Sequence, residues 1–457
     1  MESRSSRRGF LAGTAALAAT AGSVVNVKNA SAYPGFASEY IPHTKPFMDQ
    51  YLDGAIKIAK GIRDTQIGAM AAAMRKAYEL QSKGGQIVSD VSFGHFASCA
   101  GGKDRPGQPW VLPQLPIGTN DDFFDALKPG DFLITHVVSE GRKRAMERGV
   151  YVAGVTNNYY PFAETPPNGL REGHMALPRL EAMSNLVIDS QIPWYNGLVN
   201  APQIPQFKIC PGSGFAAYSV YWPCTALFAT LIGSKGKDTS VQPAIDFLDL
   251  LIERLELIRT DRPKIDRVAQ RMADYILANK PQFMVFGEKS RVSDTRECNM
   301  FVSDANGAAS GSMIGQQYNV DNLKKGDIVL IGSVRSRQAD EMEVARISKS
   351  KGAWTIAFGP YSTDGDSSGE RLYKTVDDAF NSYSPESEGV LSVKGFDKKI
   401  CPTTGLTGLV VHWMLMAAWT DHMAMRGEMP YYWQGFHERG GSVYDNMVRP
   451  YFLKRGY

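Results

Sequence analysis

The chain has 457 residues, of which 43% are hydrophobic and 11% aromatic, enough to fill the cores of two or three domains. Its net charge of +3 at pH 7 resides in the first 32 residues, where four basic residues face one acidic residue. The near-neutral remainder excludes a charge-driven case for nucleic-acid binding. The five cysteines lack the spacing of a zinc site, and we expect neither a metal nor a cofactor.

The N-terminal stretch has the pattern of a twin-arginine export signal. Arg7 and Arg8 precede an apolar run at residues 12–25, and Ala30 and Ala32 frame a small-residue cleavage site. The run is too short and too rich in alanine and glycine for a stable membrane span. We therefore expect residues 1–32 to be removed and the protein to be periplasmic or secreted.

Helical and strand periodicities follow in chain order. Residues 33–50, rich in proline and aromatic side chains, are predicted to form an arm. The spacing of apolar residues then predicts the following elements. Helices are expected at 53–80, 218–232, 241–259, 264–278, 406–423 and from Ala339 onward, and strands at 86–91, 149–155, 282–286, 328–331 and 353–358. The two very apolar helices, 218–232 and 406–423, are expected to be buried between neighbours.

The same pattern occurs twice along the chain. A Leu-Lys-x-Gly-Asp turn leads into an apolar strand at residues 127–131 and again at 323–327, an offset of 196. Lys-Ile-Cys-Pro occurs at residues 208–211 and again at 399–402, an offset of 191. Two landmarks in the same order at nearly the same offset indicate a duplicated domain. The cysteines at the equivalent positions 210 and 401 are predicted to be small buried core residues.

Polar loops follow the predicted strands, where an open parallel sheet binds its ligands. Residues 332–337 combine hydroxyls and arginines at the start of a predicted helix, which is the chemistry of an anion site. Any one such loop is better explained as an ordinary strand-to-helix connection. Its recurrence in both halves favours a binding site.

This order of motifs resembles the sugar isomerase (SIS) domain, in two tandem copies that cover nearly all of the chain after residue 50. The shared features are a helix ending in Gly-Gly, a Gly-His after the first strand, the Lys-x-Gly-Asp strand, a hydroxyl loop, a Glu-x-Ala helix and a late Pro-x-(Ser/Thr)-Gly helix start. The resemblance is nearest to the phosphosugar-binding proteins that contain such domains.

The resemblance implies an α/β fold with two tandem, flavodoxin-like, doubly wound parallel sheets in three layers. The expected organisation is a first domain at 51–240, a connecting helix at 241–262 and a second domain at 263–457 that includes a C-terminal tail. It further implies a sugar or sugar-phosphate ligand and a homodimer.

The ligand-binding residues are carried over from the family pattern position by position. They are Gly94, Ser139, Ser213, Ser290, Ser333, Arg335, Ser336, Arg337, Thr403 and Thr404. The glycine of the family's phosphate loop is missing from the second copy, where the two arginines supply charge instead. In the first copy Glu140 would repel a phosphate. That copy is therefore expected to have lost ligand binding or to recognise an uncharged group.

Isomerisation of an aldose or ketose by proton transfer needs a carboxylate or imidazole beside C1 and C2. The acid/base candidates are Glu343, His95, Glu140 and His437. Glu343 lies in the first turns of a predicted helix, where complementing the helix dipole is an equal explanation. The tail that carries His437 is expected to reach into a partner's cleft.

Three functions fit these features. The first is an exported sugar-phosphate isomerase, and the second is a non-catalytic protein that binds or senses a carbohydrate derivative. The third is a periplasmic solute-binding protein, whose two halves would exchange strands across a hinge, whereas each repeat here is self-contained in sequence.

Overall fold

The structure of the chain, a computed structural model, describes most of residues 41–457. The described residues are 41–90, 111–112, 119–157, 159–163, 169–194, 197–205, 207–279, 283–287, 320–333, 335–337, 339–361, 369–385, 389–432, 434, 437–455 and 457. They all fall within one compact unit. The predicted signal and the candidate residues Gly94, His95 and Ser290 lie outside them.

Two consecutive helices, α1 (Phe47–Thr65) and α2 (Ile67–Ser82), open the described chain. The sequence predicted one helix over 53–80, but the helix begins earlier and is interrupted at Gln66. The side-chain oxygen of Gln66 accepts the backbone N–H of Asp189 at 2.9 Å, a contact between distant segments that local periodicity cannot reveal. The predicted arm therefore ends before Phe47.

The first half contains a four-stranded parallel sheet with its strands in chain order. Its strands are β1 (Ile87–Asp90), β2 (Phe132–Thr135), β3 (Tyr151–Val155) and β4 (Leu186–Ile188), and its short helices are α3 (Asp121–Asp125), α4 (Glu140–Glu147) and α5 (Glu172–Met175). Val88, Leu133 and Val152 are in register on neighbouring strands and pack against Ala145 of α4. Their branched side chains suit a sheet that is covered on both faces.

The second half contains a matching four-stranded parallel sheet, again in chain order. Its elements are β7 (Phe283–Gly287), β8 (Ile328–Gly332), α9 (Ala339–Ser350), β9 (Trp354–Gly359), α10 (Leu372–Thr375) and β10 (Asp378–Asn381). Ile331, Ala357 and Ala379 form a row across three strands and join Ala345 of α9 in one core. The strands and helix predicted here are confirmed to within about two residues.

Long helices pack against each other and against the inner faces of both sheets. They are α6 (Ser213–Gly233), α7 (Gln242–Thr260), α8 (Arg262–Asn279) and α11 (Thr404–Met425), together with α1 and α2. Helices therefore cover both faces of each sheet, the α/β architecture in three layers that the sequence predicted. Among the described residues, α6 alone is long and apolar enough to cross a membrane, and 94% of its apolar window is buried.

A hairpin and a C-terminal helix complete the described elements. The antiparallel strands β5 (Gly197–Val199) and β6 (Ile209–Pro211) pair before α6, and α12 (Gly441–Arg455) ends the chain. The sequence did not predict these elements, because three-residue strands carry too little periodicity to be recognised.

The duplication is visible in the backbone itself. Cys210 and Cys401 both adopt the left-handed conformation, with φ of 60° and 61°, and both are fully buried free thiols, as predicted for core residues. The carboxylates of Asp131 and Asp327 each accept a backbone N–H from the residue three positions earlier, in both cases at 2.8 Å. The two halves therefore repeat the same turns as well as the same elements.

Gly233, the last residue of α6, provides a test of how closely the repeats pack. A Cβ at this position would lie 1.7 Å from the backbone carbonyl oxygen of Lys394 in the second half. Because a backbone atom cannot move aside cheaply, Gly233→Ala is expected to destabilise the protein by about 1–3 kcal/mol or more, measured by chemical denaturation.

The matched control is Gly68→Ala in the exposed part of α2, where an added Cβ meets nothing within 4 Å. This change is expected to stabilise the protein by up to about 1 kcal/mol through helix propensity. Equal effects of the two substitutions would contradict the close approach at Gly233.

Candidate functional site

In the first repeat, the loop after β2 and the start of α4 surround a carboxylate of the chain itself. The Ser139 hydroxyl donates to Asp121 Oδ1 at 2.7 Å, and the Gly141 N–H donates to Asp121 Oδ2 at 3.1 Å. Ser139 Oγ also accepts the N–H of Arg142 at 3.3 Å and so caps the helix. The predicted binding residue Ser139 is therefore engaged within the chain.

Arg142 joins this carboxylate to a second one in the core. Its Nε and Nη2 donate to Asp90 Oδ2 at 2.8 and 2.6 Å, and its Nη1 donates to Asp121 Oδ1 at 3.2 Å. The guanidinium also lies 3.9 Å from the ring centre of Phe124. Sequence analysis missed Asp90 and Arg142. The sequence did carry one signal for Asp90: it is an aspartate at the end of an apolar strand, and ligands of parallel sheets bind at the carboxyl ends of the strands.

In the second repeat, the equivalent loop is held together by its own hydroxyls. Ser333 Oγ accepts the N–H groups of Arg335 at 3.2 Å and Ser336 at 2.7 Å. Ser336 has a left-handed backbone with φ of 52°, and its hydroxyl donates to the Pro360 carbonyl at 2.6 Å. The loop is thus a fixed turn that leaves Arg335 half-buried and Arg337 exposed.

In the second repeat, an arginine of α7 contacts the loop that immediately precedes α11. Arg254 Nη1 donates to Thr403 Oγ1 at 2.7 Å, and Ser384 Oγ is hydrogen-bonded to Thr403 Oγ1 at 2.8 Å. Burial lowers the pKa of the Arg254 guanidinium, against the opposing influence of Glu253. In the described part of the chain no carboxylate forms an ion pair with Arg254. This cation therefore adds to the positive end of a 22-residue helix.

The C-terminal tail forms a third cluster, against the first half of the same chain. His437 Nδ1 lies 2.7 Å from His174 Nε2, and Arg171 Nε donates to His174 Nδ1 at 2.6 Å. Because an arginine only donates, the neutral His174 carries its proton on Nε2 and donates it to His437. Burial, reinforced by the charge of Arg171, lowers the pKa of His174 to about 4. His437, a predicted acid/base residue, is thus held as an acceptor at Nδ1.

Glu438, which the sequence analysis did not select, lies beside His437 in this tail. Its side chain is 3% exposed, its Oε2 accepts from Gln434 Nε2 at 3.3 Å, and its Oε1 has no hydrogen-bond partner among the described residues. Burial raises the pKa of Glu438 to about 8, and it raises that of the nearby Asp445 to about 7. Buried carboxyl groups with such pKa values are typical of acid/base sites, although structural clusters show them too.

The tail pairs with the chain's own first half. The backbone of Glu438 bridges to Leu170, and the N–H of Arg171 donates to the His437 carbonyl at 3.1 Å. The expected insertion of the tail into a partner's cleft stays a prediction.

Two of the predicted acid/base residues lie at exposed positions of helices. Glu140 is the first residue of α4 and Glu343 is the fifth residue of α9, and both side chains face solvent. Their part in proton transfer stays a prediction. The buried acid in the same turn of α9 is Glu341, which is fully buried. A Glu-x-Ala motif does not by itself say which side of the helix its glutamate occupies.

The remaining predicted binding residues lie at helix starts. Ser213 begins α6, and its hydroxyl lies 3.5 Å from that of Tyr159. Thr404 begins α11 and is buried. Within the described ranges no group of three histidines, cysteines or acids is arranged to hold a metal ion.

Comparison with known proteins gives the following similarities. No protein-family model matches the chain. A UPF0309 protein of Listeria monocytogenes is 29% identical over 117 residues, which is 23% of this chain and 47% of that protein. The chain spans about half the length of the curated relatives it matches.

Solved structures similar to the chain include a candidate phosphosugar isomerase from Silicibacter pomeroyi, with a TM-score of 0.45 and 16% identity, covering 84% of this chain and 99% of that one. Another is the C-terminal domain of glucosamine-fructose-6-phosphate aminotransferase from Francisella tularensis, with a TM-score of 0.43 and 11% identity, covering 83% and 98%. The chain's own strand order, layers and repeated turns carry the conclusion on its fold. In architecture, the chain resembles the sugar isomerase (SIS) domain, with the domain's elements present twice.

Proposed function

We propose that this protein binds a phosphorylated sugar, and that the phosphate is held in the second repeat at the start of α11. Arg254, Thr403 and the N-terminus of that helix supply the positive charge and the hydrogen-bond donors. The arginines of the loop after β8 add further charge at the same edge of the sheet. The names of the structurally similar proteins, which refer to phosphosugars and glucosamine phosphates, agree with this ligand class.

The observation that carries the proposal is that Arg254, a partly buried arginine, forms no ion pair with any carboxylate in the part of the chain that the structure describes. A partly buried guanidinium is costly unless an anion lies beside it, because burial removes the water that stabilises its charge. The arginine at the equivalent edge of the first repeat, Arg142, is neutralised by Asp90 and Asp121. No described carboxylate pairs with Arg254 in this way, which leaves room for the anion of a ligand.

Replacement of Arg254 by methionine tests the phosphate site. Wild-type protein is expected to show a higher Tm with a hexose 6-phosphate than with the free hexose, because a ligand that binds only the native state stabilises it by mass action. Arg254→Met is expected to lose this response while keeping most of its unliganded stability, because the change removes a partly buried charge and a single described hydrogen bond, that to Thr403. Thermal-shift titration with both sugars measures the difference.

The control is Arg259→Met on the same helix, where the guanidinium forms ion pairs with Glu256 and Asp53 at the surface. This variant is expected to respond to the sugar phosphate as the wild type does. A full response in Arg254→Met, or none in the wild type with any sugar phosphate, would falsify the proposed site.

The tail cluster supports a second candidate function, acid/base catalysis of an aldose–ketose isomerisation. Its support is the placement of Glu438 and His437 side by side in a water-poor environment with a fixed histidine tautomer.

Glu438→Gln separates the two functions. If the protein is an isomerase, this variant is expected to lose isomerisation by about 10²–10⁴-fold while still binding the sugar phosphate. Deuterium exchange at C2, followed by NMR, measures the reaction. Glu343→Gln, on the exposed face of α9, is the control and is expected to keep full activity. If the wild type shows no exchange with any sugar phosphate that it binds, isomerisation is contradicted and only the binding function remains.

The difference in stability between the wild type and Glu438→Gln is expected to depend on pH. The pKa of Glu438 is about 8 in the folded protein, above its ordinary value near 4.3, so folding retains a proton that the unfolded chain releases. Wild-type stability is therefore expected to fall, relative to the glutamine variant, as pH rises from about 4 to about 8. Tm curves that run parallel over this range would show that Glu438 is not buried as a neutral acid.

We further propose that the protein acts outside the cytoplasm, on the basis of its twin-arginine pattern. Replacement of both Arg7 and Arg8 by lysine is expected to retain the protein in the cytoplasm in cell fractionation. Unchanged distribution between fractions would argue against export by this route.

A further inference from the structure

We infer that Asp121 is a built-in occupant of an anion-binding site in the first repeat, and that removing its carboxylate exposes a site for a phosphate-like oxyanion. The carboxylate receives hydrogen bonds from a backbone N–H, a hydroxyl and a guanidinium, those of Gly141, Ser139 and Arg142. These three kinds of donor at a helix start are what an oxyanion ligand requires.

Asp121 is not needed there as a helix cap. Ser139 already caps α4, and Asp121 comes from a separate short helix 20 positions before Gly141. Its carboxylate therefore occupies donors that the loop and helix would otherwise direct at a ligand or at water.

The close fit around the carboxylate depends on Gly141. A Cβ at Gly141 would lie 2.5 Å from both Cβ and Cγ of Asp121. Because any larger residue would push the aspartate out, the absence of a side chain at this position is what allows its entry. The Asp121 carboxylate therefore fits its hydrogen-bond donors as a ligand fits a binding site, although all of them belong to one chain.

The ion pairs show why the core would survive loss of Asp121. Arg142 and Asp90 are 6% and 5% exposed, and two of the guanidinium nitrogens bond to Asp90. The side chain of Asp121 is 39% exposed, so solvent and small anions can reach it. Its removal leaves Arg142 bound to Asp90 and, through Nη1, to Ser139 Oγ at 2.9 Å, and releases only the Nη1 hydrogen bond that Asp121 accepted.

The second repeat lacks a carboxylate at the matching place in the sequence. The offset of 196 between the two Lys-x-Gly-Asp turns places Gln317, an uncharged residue outside the described part of the chain, opposite Asp121. The sequence therefore has no counterpart of the Asp121 carboxylate at the matching place in the second repeat.

The test is Asp121→Ala, prepared in an Arg254→Met background so that the phosphate site proposed for the second repeat is absent. Equilibrium dialysis with labelled inorganic phosphate is expected to show one more bound phosphate per chain than in Arg254→Met alone. Phosphate, and to a smaller degree acetate, is expected to raise the Tm of this variant more than that of the control. A further arm with a hexose 6-phosphate shows whether the opened site also admits the esterified anion.

The matched control is Asp122→Ala in the same background, since Asp122 is the exposed neighbour on α3. Adding Ser139→Ala to Asp121→Ala is expected to abolish the gained binding. If Asp121→Ala does not fold, Asp121→Ser, which keeps an acceptor for the Gly141 N–H, replaces it with the same expected gain. No gain over the Asp122→Ala control, or a gain that survives Ser139→Ala, would overturn the inference. The proposed function is tested separately, in the Asp121-intact protein with Arg254 present.

Discussion

A positive charge at the carboxyl edge of a parallel sheet needs a counter-charge, and the two repeats meet this need differently. In the first, Arg142 is enclosed by Asp90 and Asp121, so the chain supplies its own anions. In the second, Arg254 reaches the first turn of α11 without a described carboxylate partner. Because the two sheets share their strand order and turns, this difference lies in the charges at their edges rather than in the fold.

The energetic consequences of the two arrangements are opposite. A buried ion pair adds little net stability, but losing one partner costs about 3–5 kcal/mol because the other charge stays buried. The first repeat is therefore complete without a ligand and sensitive to substitution at Asp90. A site that binds an external anion only in the native state stabilises the protein by an amount that grows with the logarithm of the ligand concentration above Kd. The second repeat is thus the half whose stability is expected to report on ligand.

The sequence predicted what depends on local patterns. Apolar runs placed β8, β9 and α9, and the uniformly apolar stretches correctly indicated the buried helices α6 and α11. The repeated Lys-Ile-Cys-Pro correctly placed both cysteines in the core. These features are encoded within a dozen residues, where periodicity and composition are informative.

The features that the sequence could not reveal join segments far apart in the chain. Arg142 meets Asp90 across 52 positions, and His437 meets His174 across 263. The motif that selected Glu140 and Glu343 could not reveal that both side chains are exposed, because tertiary packing decides which side of a helix is buried. The break at Gln66 has the same origin, because its contact with Asp189 is supplied by a strand end from another part of the fold.

The protonation states in the tail cluster restrict the chemistry it can support. With a pKa of about 8, Glu438 is mainly protonated at neutral pH, and is therefore suited to donating a proton rather than removing one. His437 receives a hydrogen bond at Nδ1 from neutral His174, which fixes Nδ1 as an acceptor rather than a proton donor. In a sugar isomerisation, protonation of the ring oxygen during ring opening is the step that needs an acid. The cluster thus fits ring opening better than abstraction of the C2 proton, for which an ionised base is required.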